Sequence, residues 1–385
     1  MIISESRLKI MLNVDTLPSN LEIFDSFIKA NAVLGRYAPE KVMVSISGGS
    51  DSDLLLDLIS QVSSDGVHYV FFDTGLEYQA TKDHLKFLEQ KYGIEIEVAK
   101  ATMPIPTSCR KYGQPFISKQ VSEFIQRLQR HNFQWEDEDF ETLCKKYPKC
   151  KAALRWWCNE WGEKSKFNIS YNKWLKEFMI ANPPDFKISN KCCSFAKKDV
   201  AKKYKEDNKI SLSVVGIRKA EGGARSSAYK NCFSSKDDSA DEYRPLFWYK
   251  EETKREYENH FNITHSHCYS EYGLKRTGCA GCPFGKDFEF ELEVINEYEP
   301  KLYKAVNNIF GDSYEYTRKY KKFRAEMLEK ELKNAKCKNC KWLETHEGKH
   351  ICGYMAEVYH TAVGLRNLEA QCPLINERIL TKEMN

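Results

Sequence analysis

Short buried-type strands alternate with helices near the N-terminus, and this alternation constrains the fold more than any other feature. Apolar, β-branched runs occur in KVMVSIS, VHYVFFDTG and IEIEVAKA, whereas DLLLDLIS and QATKDHLKFLEQKYG have the apolar spacing of helices. Strands that alternate with helices form a parallel sheet covered by helices. The sequence therefore predicts an α/β fold with a parallel sheet, preceded by a helix over 18–37.

The first predicted strand ends in the turn Ser-Gly-Gly-Ser-Asp-Ser, where the next helix begins. A glycine pair lets the backbone approach a ligand closely, and serine hydroxyls with free amides at a helix start can bind an anion. The turn lacks the Walker A pattern, so it predicts either a phosphate site or an ordinary capped turn. Asp73-Thr74-Gly75 ends the second strand at the same expected sheet edge, which favours a nucleotide site.

Residues 101–191 interrupt the alternation of strands and helices. They contain five of the seven tryptophans and carry 16 Lys and Arg against 10 Asp and Glu. We interpret them as an inserted helical subdomain whose tryptophans form its core. The alternative is a nucleic-acid interface, with basic residues on the backbone and tryptophans stacked on bases.

Five segments follow from these changes along the chain. They are 1–100 (N-terminal helix and first α/β half), 101–191 (helical insertion), 192–286 (second α/β half), 287–335 (two long helices) and 336–385 (small Cys-rich module). The two long helices are predicted over FEFELEVINEYEPKLYKAVNNIF and YTRKYKKFRAEMLEKELKNA.

Fourteen cysteines are many for a chain without a recognisable secretory signal or an apolar run of membrane length. We expect a cytoplasmic protein with no membrane partner. In a reducing compartment, metal or cluster binding explains so many thiols better than disulfides do.

The last segment has the cysteine spacing of a structural zinc site. A C-x-x-C pair and two later cysteines lie in a short polar stretch that has few apolar residues to fold alone. The predicted zinc ligands are Cys337, Cys340, Cys352 and Cys372. His346, His350 or His360 could replace one of them, and a second iron–sulfur cluster or unliganded thiols are the alternatives.

Four motifs in fixed order carry a family resemblance: SISGGSDSD, FFDTGLEY, VGIRKAEGGARS and RPLFWYKEET…GLKRTGCAGCPFG. Together they resemble the phosphoadenosine phosphosulfate (PAPS) reductase family of the PP-loop, or adenine nucleotide α-hydrolase-like, superfamily. The resemblance implies that an adenine nucleotide, PAPS or ATP, binds at the sheet edge. Its phosphates would contact Ser47, Gly48, Gly49, Ser50, Asp51 and Ser52, and Asp73 and Gly75 would shape the adenosine pocket. Arg218 and Arg225 would bind the anionic end, since arginine grips phosphate or sulfate bidentately.

The same resemblance implies a [4Fe–4S] cluster. A Cys-Cys pair and a later C-x-x-C match the cluster-bearing sulfonucleotide reductases, and four thiolates are the ligand set of that cluster. The implied ligands are Cys192, Cys193, Cys279 and Cys282. Four buried free cysteines, or a zinc site, are the alternatives. Lys191, Lys197 and Lys275 are expected to stabilise the cluster and to lower the thiol pKa values.

Two departures from the family bear on activity. ATP-cleaving relatives usually have lysine where this chain has Ser50, which weakens ATP cleavage because less charge faces the leaving pyrophosphate. The Glu-Cys-Gly motif, whose cysteine is the nucleophile in the reductases, is missing. No catalytic residue is therefore assigned.

The function predicted from the sequence is sulfur transfer or reduction by an enzyme that binds PAPS or adenylyl sulfate. A redox donor protein is an expected partner. The alternatives are an ATP-dependent sulfurtransferase that modifies DNA or tRNA, with the nucleic acid bound by 101–191, and a non-catalytic nucleotide-binding or redox-sensing protein.

Overall fold

A computed structural model describes residues 20–62, 65–163, 165–222, 228–235, 239–334, 343–346 and 349–352, with side chains up to residue 330. Two compact units divide this part of the chain. The described residues within Met1–Ser122 and Ile188–Gly311 form the first, and those within Glu123–Lys187 and Asp312–Asn385 form the second. The five segment boundaries inferred from the sequence stay a prediction.

A six-stranded sheet lies in the described part of the first unit. Its strands are β1 (Val42–Ile46), β2 (His68–Asp73), β3 (Ile96–Lys100), β4 (Leu212–Val214), β5 (Phe233–Ser234) and β6 (Asp241–Tyr243). Their order is β3-β2-β1-β4-β6-β5, and each pair of neighbours is parallel except the antiparallel pair β5 and β6. The predicted α/β fold with a parallel sheet is confirmed.

The α-helices of the described residues are numbered in chain order. They are α1 (Leu21–Leu34), α2 (Ser50–Val62), α3 (Gln79–Tyr92), α4 (Ile105–Tyr112), α5 (Lys119–Arg130), α6 (Phe140–Lys146), α7 (Lys151–Trp157), α8 (Leu175–Ala181), α9 (Lys191–Cys193), α10 (Asp199–Asp207), α11 (Glu251–His260), α12 (His267–Ser270), α13 (Phe288–Tyr298) and α14 (Pro300–Asn334). A π-helical turn, Ser194–Lys198, joins α9 to α10.

The core of the first unit explains why β1 is almost uniformly apolar. Val42, Val44 and Ile46 of this strand are at most 2% exposed and belong to one buried cluster with Phe27 of α1 and Leu55 of α2. A central parallel strand is covered on both faces, so it needs a continuous apolar run rather than an alternating one. This packing fixes the end of β1, where the Ser-Gly-Gly-Ser-Asp-Ser turn begins.

Tryptophans of the predicted insertion pack mainly in the interior of the second unit. Trp135, Trp156, Trp157 and Trp174 are at most 9% exposed. Trp161 differs, because it is 38% exposed and the Arg155 guanidinium carbon lies 4.0 Å from its ring centre. Buried indoles cannot stack on nucleotide bases, so the core interpretation accounts for four of these five tryptophans.

One helix boundary predicted from the sequence is wrong. The break between the two long helices was expected after Phe310, but α13 ends at Tyr298 and α14 begins at Pro300. Proline suits the first position of a helix and disfavours the helical conformation of the residue before it. Glu299 accordingly has φ −134° and ψ 63°.

Two antiparallel strands, β7 (Leu343–His346) and β8 (Lys349–Cys352), are described near the C-terminus. Cys352 ends β8, but the side chain of Cys352 and the predicted ligands Cys337, Cys340 and Cys372 lie outside the described residues. The zinc site therefore stays a prediction. Among the helices that the structure describes, none has the length and apolarity needed to cross a membrane.

Candidate nucleotide and cysteine site

The Ser-Gly-Gly-Ser-Asp-Ser turn is closed by its own hydrogen bonds. Ser52 Oγ accepts from the Ser47 amide at 2.8 Å, and the Gly49 carbonyl accepts from the Ser52 amide at 2.8 Å. Gly48 has φ +66°, and a Cβ there would lie 2.7 Å from Thr81 Cγ2. Glycine is needed at position 48 both for its backbone conformation and for this close approach.

Gly216, which follows β4, lets the backbone pass close to the same turn. A Cβ at Gly216 would lie 3.0 Å from the carbonyl oxygen of Asp51. Two residues later, the Arg218 side chain reaches Asp51, with 2.9 Å between Nε and Oδ1. Arg218 Nη2 donates to Glu251 at 2.8 Å, whereas Nη1 is buried without a hydrogen-bond partner. The structure thus brings predicted Arg218 to the turn, while Arg225 lies outside the described residues.

Lys254 of α11 is a second cation at the turn, and the sequence reasoning missed it. Its Nζ donates to Ser50 Oγ at 2.6 Å and lies 2.8 Å from Asp51 Oδ1. The whole residue is only 9% exposed. A signal was present in the sequence, because Lys254 shares the buried face of α11 with Tyr257, three residues on.

A chain of ionisable side chains in mutual contact begins at Lys254. Lys254 lies 3.7 Å from Glu258, and Glu258 accepts from His265 Nε2 at 2.9 Å. His265 Nδ1 lies 2.8 Å from Asp53, whose other oxygen lies 3.0 Å from His84 Nε2. Burial lowers the pKa of His265, but hydrogen bonds to Asp53 and Glu258 outweigh burial and raise it to about 9. His265 is therefore positively charged at neutral pH.

The predicted turn Asp73-Thr74-Gly75 lies at the sheet edge where β1 ends. Its position follows from the register, since Ile46 of β1 pairs with Phe71 of the parallel strand β2. Asp73 Oδ1 accepts from the Gly75 amide at 2.8 Å, and Gly75 has φ +78°. The carboxyl-end position of both turns is the usual place for a ligand in an α/β sheet.

Residues around the C-x-x-C pair connect these two turns. Tyr269 Oη accepts from the Ser50 amide at 3.0 Å and lies 3.3 Å from Thr277 Oγ1, two residues before Cys279. The Ala280 amide, between the two cysteines, donates to the Leu76 carbonyl at 3.0 Å. The cysteine loop is thus tied both to the glycine turn and to the turn after β2.

Cys192, Cys193, Cys279 and Cys282 occupy one region of the first unit. A hydrogen bond donated to Cys109 raises the pKa of the Cys192 thiol, and one donated to Cys192 raises that of Cys193. Burial raises the pKa values of Cys279 and Cys282, and Cys193 adds a smaller effect in the same direction. Cys109 belongs to none of the cysteine motifs of the sequence, so its contact with this group could not be predicted from spacing.

Burial, rather than nearby cations, determines the direction in which the pKa values of the C-x-x-C thiols shift. Burial raises the pKa of Cys279 and raises that of Cys282 to about 12. Lys197 acts in the opposite direction on Cys279 but does not reverse the shift. The expected lowering by a neighbouring lysine is thus present at Cys279, but burial outweighs it.

Within the residues that the structure describes, no group of three or more His, Cys, Asp or Glu side chains is arranged to hold a single metal ion. A cubane cluster makes a different demand, because each of its four thiolates binds a different iron. Two cysteine pairs, one in α9 and one in the C-x-x-C loop, supply donors of the number and type that it needs, with the Lys197 ammonium nearby.

Comparison with known proteins supports the resemblance stated from the motifs. Residues 41–158 match the family model described as the phosphoadenosine phosphosulfate reductase domain. Adenosine 5'-phosphosulfate reductase 2 of Bacillus subtilis is 32% identical over 75 residues, 19% of this chain and 31% of that protein. The resemblance to the PAPS reductase family is thereby confirmed.

A longer match joins the chain to an uncharacterized protein of Methanocaldococcus jannaschii, with 25% identity over 309 residues, or 76% of this chain and 49% of that protein. The chain thus spans less than half the length of either relative. Two solved structures are similar in fold. PAPS reductase of Candida auris is 12% identical with a TM-score of 0.35, and the match covers 68% of this chain and 97% of that one. The U34-tRNA thiolase NcsA of Methanococcus maripaludis is 13% identical with a TM-score of 0.34, and the match covers 78% of this chain and 79% of that one. These scores are too low to support a functional argument.

Proposed function

We propose that this chain, in which residues 41–158 match a PAPS reductase domain, is an enzyme of sulfur chemistry that uses an adenine nucleotide. One observation carries the proposal: the cysteine loop is hydrogen-bonded to Leu76 after the Asp73 turn and, through Tyr269, to the glycine turn. A nucleotide bound there would lie beside the thiol group. Sulfur carried by the nucleotide could then react close to those thiols.

The proposed nucleotide site is built from both turns. Phosphate would contact the segment Ser47–Ser52, and the turn at Asp73 and Gly75 would border the adenosine. Arg218 would bind the anionic end, because its Nη1 donors are buried and unused. Arg225 is proposed for the same role on the resemblance alone.

The proposed cluster ligands are Cys192, Cys193, Cys279 and Cys282. A bound [4Fe–4S] cluster would supply electron delivery or electrostatic stabilisation beside the nucleotide. Lys197 would balance the negative charge of the four thiolates, since Cys279 and Cys193 already raise its pKa. Because these thiols hold their protons when no metal is bound, ligation must release protons.

Adenylyl sulfate and PAPS are the proposed substrate class, with a dithiol protein as electron donor. The relative named adenosine 5'-phosphosulfate reductase favours this choice over the alternatives. An ATP-dependent sulfurtransferase acting on tRNA or DNA is the second candidate, and the position of Lys254 beside Ser50 favours it.

The test uses the full chain, purified without oxygen. Binding of adenylyl sulfate, PAPS, ATP and AMP is measured by calorimetry, followed by sulfite release with a dithiol donor and pyrophosphate release with and without tRNA or DNA. Sulfite release would support the reductase, whereas nucleic-acid-stimulated pyrophosphate release would support the sulfurtransferase. Nucleotide binding without turnover would indicate a sensor, and no binding of any of these nucleotides would contradict the proposal.

A further inference from the structure

We infer that Lys254 supplies, from α11, the phosphate-binding cation that the glycine turn lacks at Ser50, and that with Arg218 it binds the anionic chain of the nucleotide. The inference rests on the proposed function and names a further binding residue of its nucleotide site.

The first step is the position of the ammonium group. Lys254 lies on α11, 204 residues from Ser50, yet its Nζ donates to Ser50 Oγ at 2.6 Å. It also lies 2.8 Å from Asp51 in the first turn of α2. These two contacts use two of the three N–H donors of an ammonium group, so a third remains for a ligand.

The second step concerns the neighbouring carboxylate Glu258. It lies 3.7 Å from Lys254, beyond hydrogen-bond distance, but accepts from His265 at 2.9 Å. Glu258 is thus bonded by His265, which it shares with Asp53. The short contacts of Lys254, to Ser50 and Asp51, both lie at the turn.

The third step is the arginine on the other side of Asp51. Arg218 is 5% exposed, and its Nη1 is buried without a partner. Unused buried guanidinium donors cost free energy unless a ligand satisfies them. Its second carboxylate partner, the Glu251 side chain, is 58% exposed and can turn toward water when an anion arrives.

Together these contacts describe how the turn can receive an anion without a lysine of its own. Two fixed cations converge on a single turn carboxylate, at the start of a helix whose dipole also favours negative charge. Two linked anionic groups offer more oxygens to two separate cations than one phosphate does. We therefore expect pyrophosphate and ATP to depend on Lys254 more strongly than AMP does.

Calorimetry on the anaerobic full chain tests this with pyrophosphate, ATP and AMP as probes. Lys254→Met should weaken pyrophosphate and ATP binding about 10- to 100-fold, the usual worth of a charge-assisted contact, and AMP binding about threefold or less. The matched control is Arg255→Met, the exposed next residue of α11, which should leave all three affinities within about twofold.

A transposed variant, Ser50→Lys with Lys254→Ser, should regain most of the pyrophosphate affinity because the same charge returns to the same place. If Lys254→Met fails to fold, Lys254→Gln replaces it, since an amide can still bond Ser50. The inference is overturned if the Lys254 variants bind pyrophosphate as the control does, or lose AMP and ATP equally. A wild-type chain that binds no nucleotide would instead refute the proposed function.

Discussion

The backbone amide of Ala280 donates a 3.0 Å hydrogen bond to the carbonyl of Leu76. Ala280 stands between Cys279 and Cys282, and Leu76 follows the turn that ends β2. A loop that carries two candidate cluster ligands is therefore fixed to a turn that borders the candidate nucleotide site. Chemistry between a nucleotide and these thiols needs such a fixed geometry, since small misplacements of reacting groups cost large factors in rate.

Arg218→Lys is expected to weaken adenine-nucleotide binding about 10- to 100-fold. Lysine keeps the charge but lacks the planar fork that bonds Asp51 and Glu251 while leaving Nη1 for a ligand. Calorimetric titration with ATP and adenylyl sulfate measures the loss. Arg255→Lys, an exposed site on α11, is the control and should show no loss. Equal affinities for the two variants would remove Arg218 from the site.

Gly48→Ala is expected to destabilise the fold more than Gly93→Ala. Both glycines have positive φ, so each substitution costs about 1–2 kcal/mol of backbone strain. Only at Gly48 would the new methyl group also meet Thr81 Cγ2, at 2.7 Å, whereas Gly93 has open space. Adding Thr81→Ser to Gly48→Ala should recover the difference. Urea unfolding measures all four proteins, and equal losses at the two glycines would contradict the described packing of the turn.

His265→Gln should remove a pH-dependent part of the stability. Folding raises the pKa of His265 from 6.5 to about 9. The stabilisation of the fold by protonated His265 is therefore complete below pH 6.5 and is lost as the pH rises through 9. The groups that face His265 are Asp53 and Glu258, with His84 and Lys254 beyond them and the Tyr269 ring beside it.

The expected loss in the wild type between pH 6.5 and 10 is at most about 3 kcal/mol of unfolding free energy. His265→Gln should lack this slope, and His267→Gln, whose side chain is 65% exposed, should retain it. Urea unfolding at several pH values makes the comparison. An unchanged slope in His265→Gln would show that another group titrates.

Trp157→Ala and Trp161→Ala should differ sharply in stability. Trp157 is fully buried and its loss leaves a cavity that costs about 3–5 kcal/mol, whereas Trp161 is 38% exposed and its loss should cost below about 1 kcal/mol. If the insertion binds nucleic acid, we expect the exposed Trp161 and the Arg155 stacked on it to make the contacts. A filter-binding assay with tRNA, comparing Trp161→Ala with the wild type, checks that role.

The sheet and its functional edge were predictable because they depend on local patterns. An apolar strand, a glycine turn and an amphipathic helix are contiguous in the sequence, and parallel strands necessarily place their carboxyl ends together. Strands β5 and β6 were missed because two or three residues are too few to establish a periodic pattern.

Lys254 and Cys109 were missed for a different reason. Each reaches its partners across a long sequence separation, 204 residues from Lys254 to Ser50. The spacing of Lys254 and Tyr257 on one helix face indicates that Lys254 can be buried, but no local spacing identifies a partner so far along the chain. The break at Pro300 was a local signal, but the apolar run across it was given more weight than the proline.

Iron and acid-labile sulfide analysis of the anaerobically purified chain tests the central claim most directly, with zinc measured in the same samples. The wild type and Cys268→Ser, a buried cysteine outside the proposed ligand set, should each hold about four irons and four sulfides per chain. Cys279→Ser should lose most of that iron while keeping any zinc. Zinc without iron in the wild type, or unchanged iron in Cys279→Ser, would contradict the account.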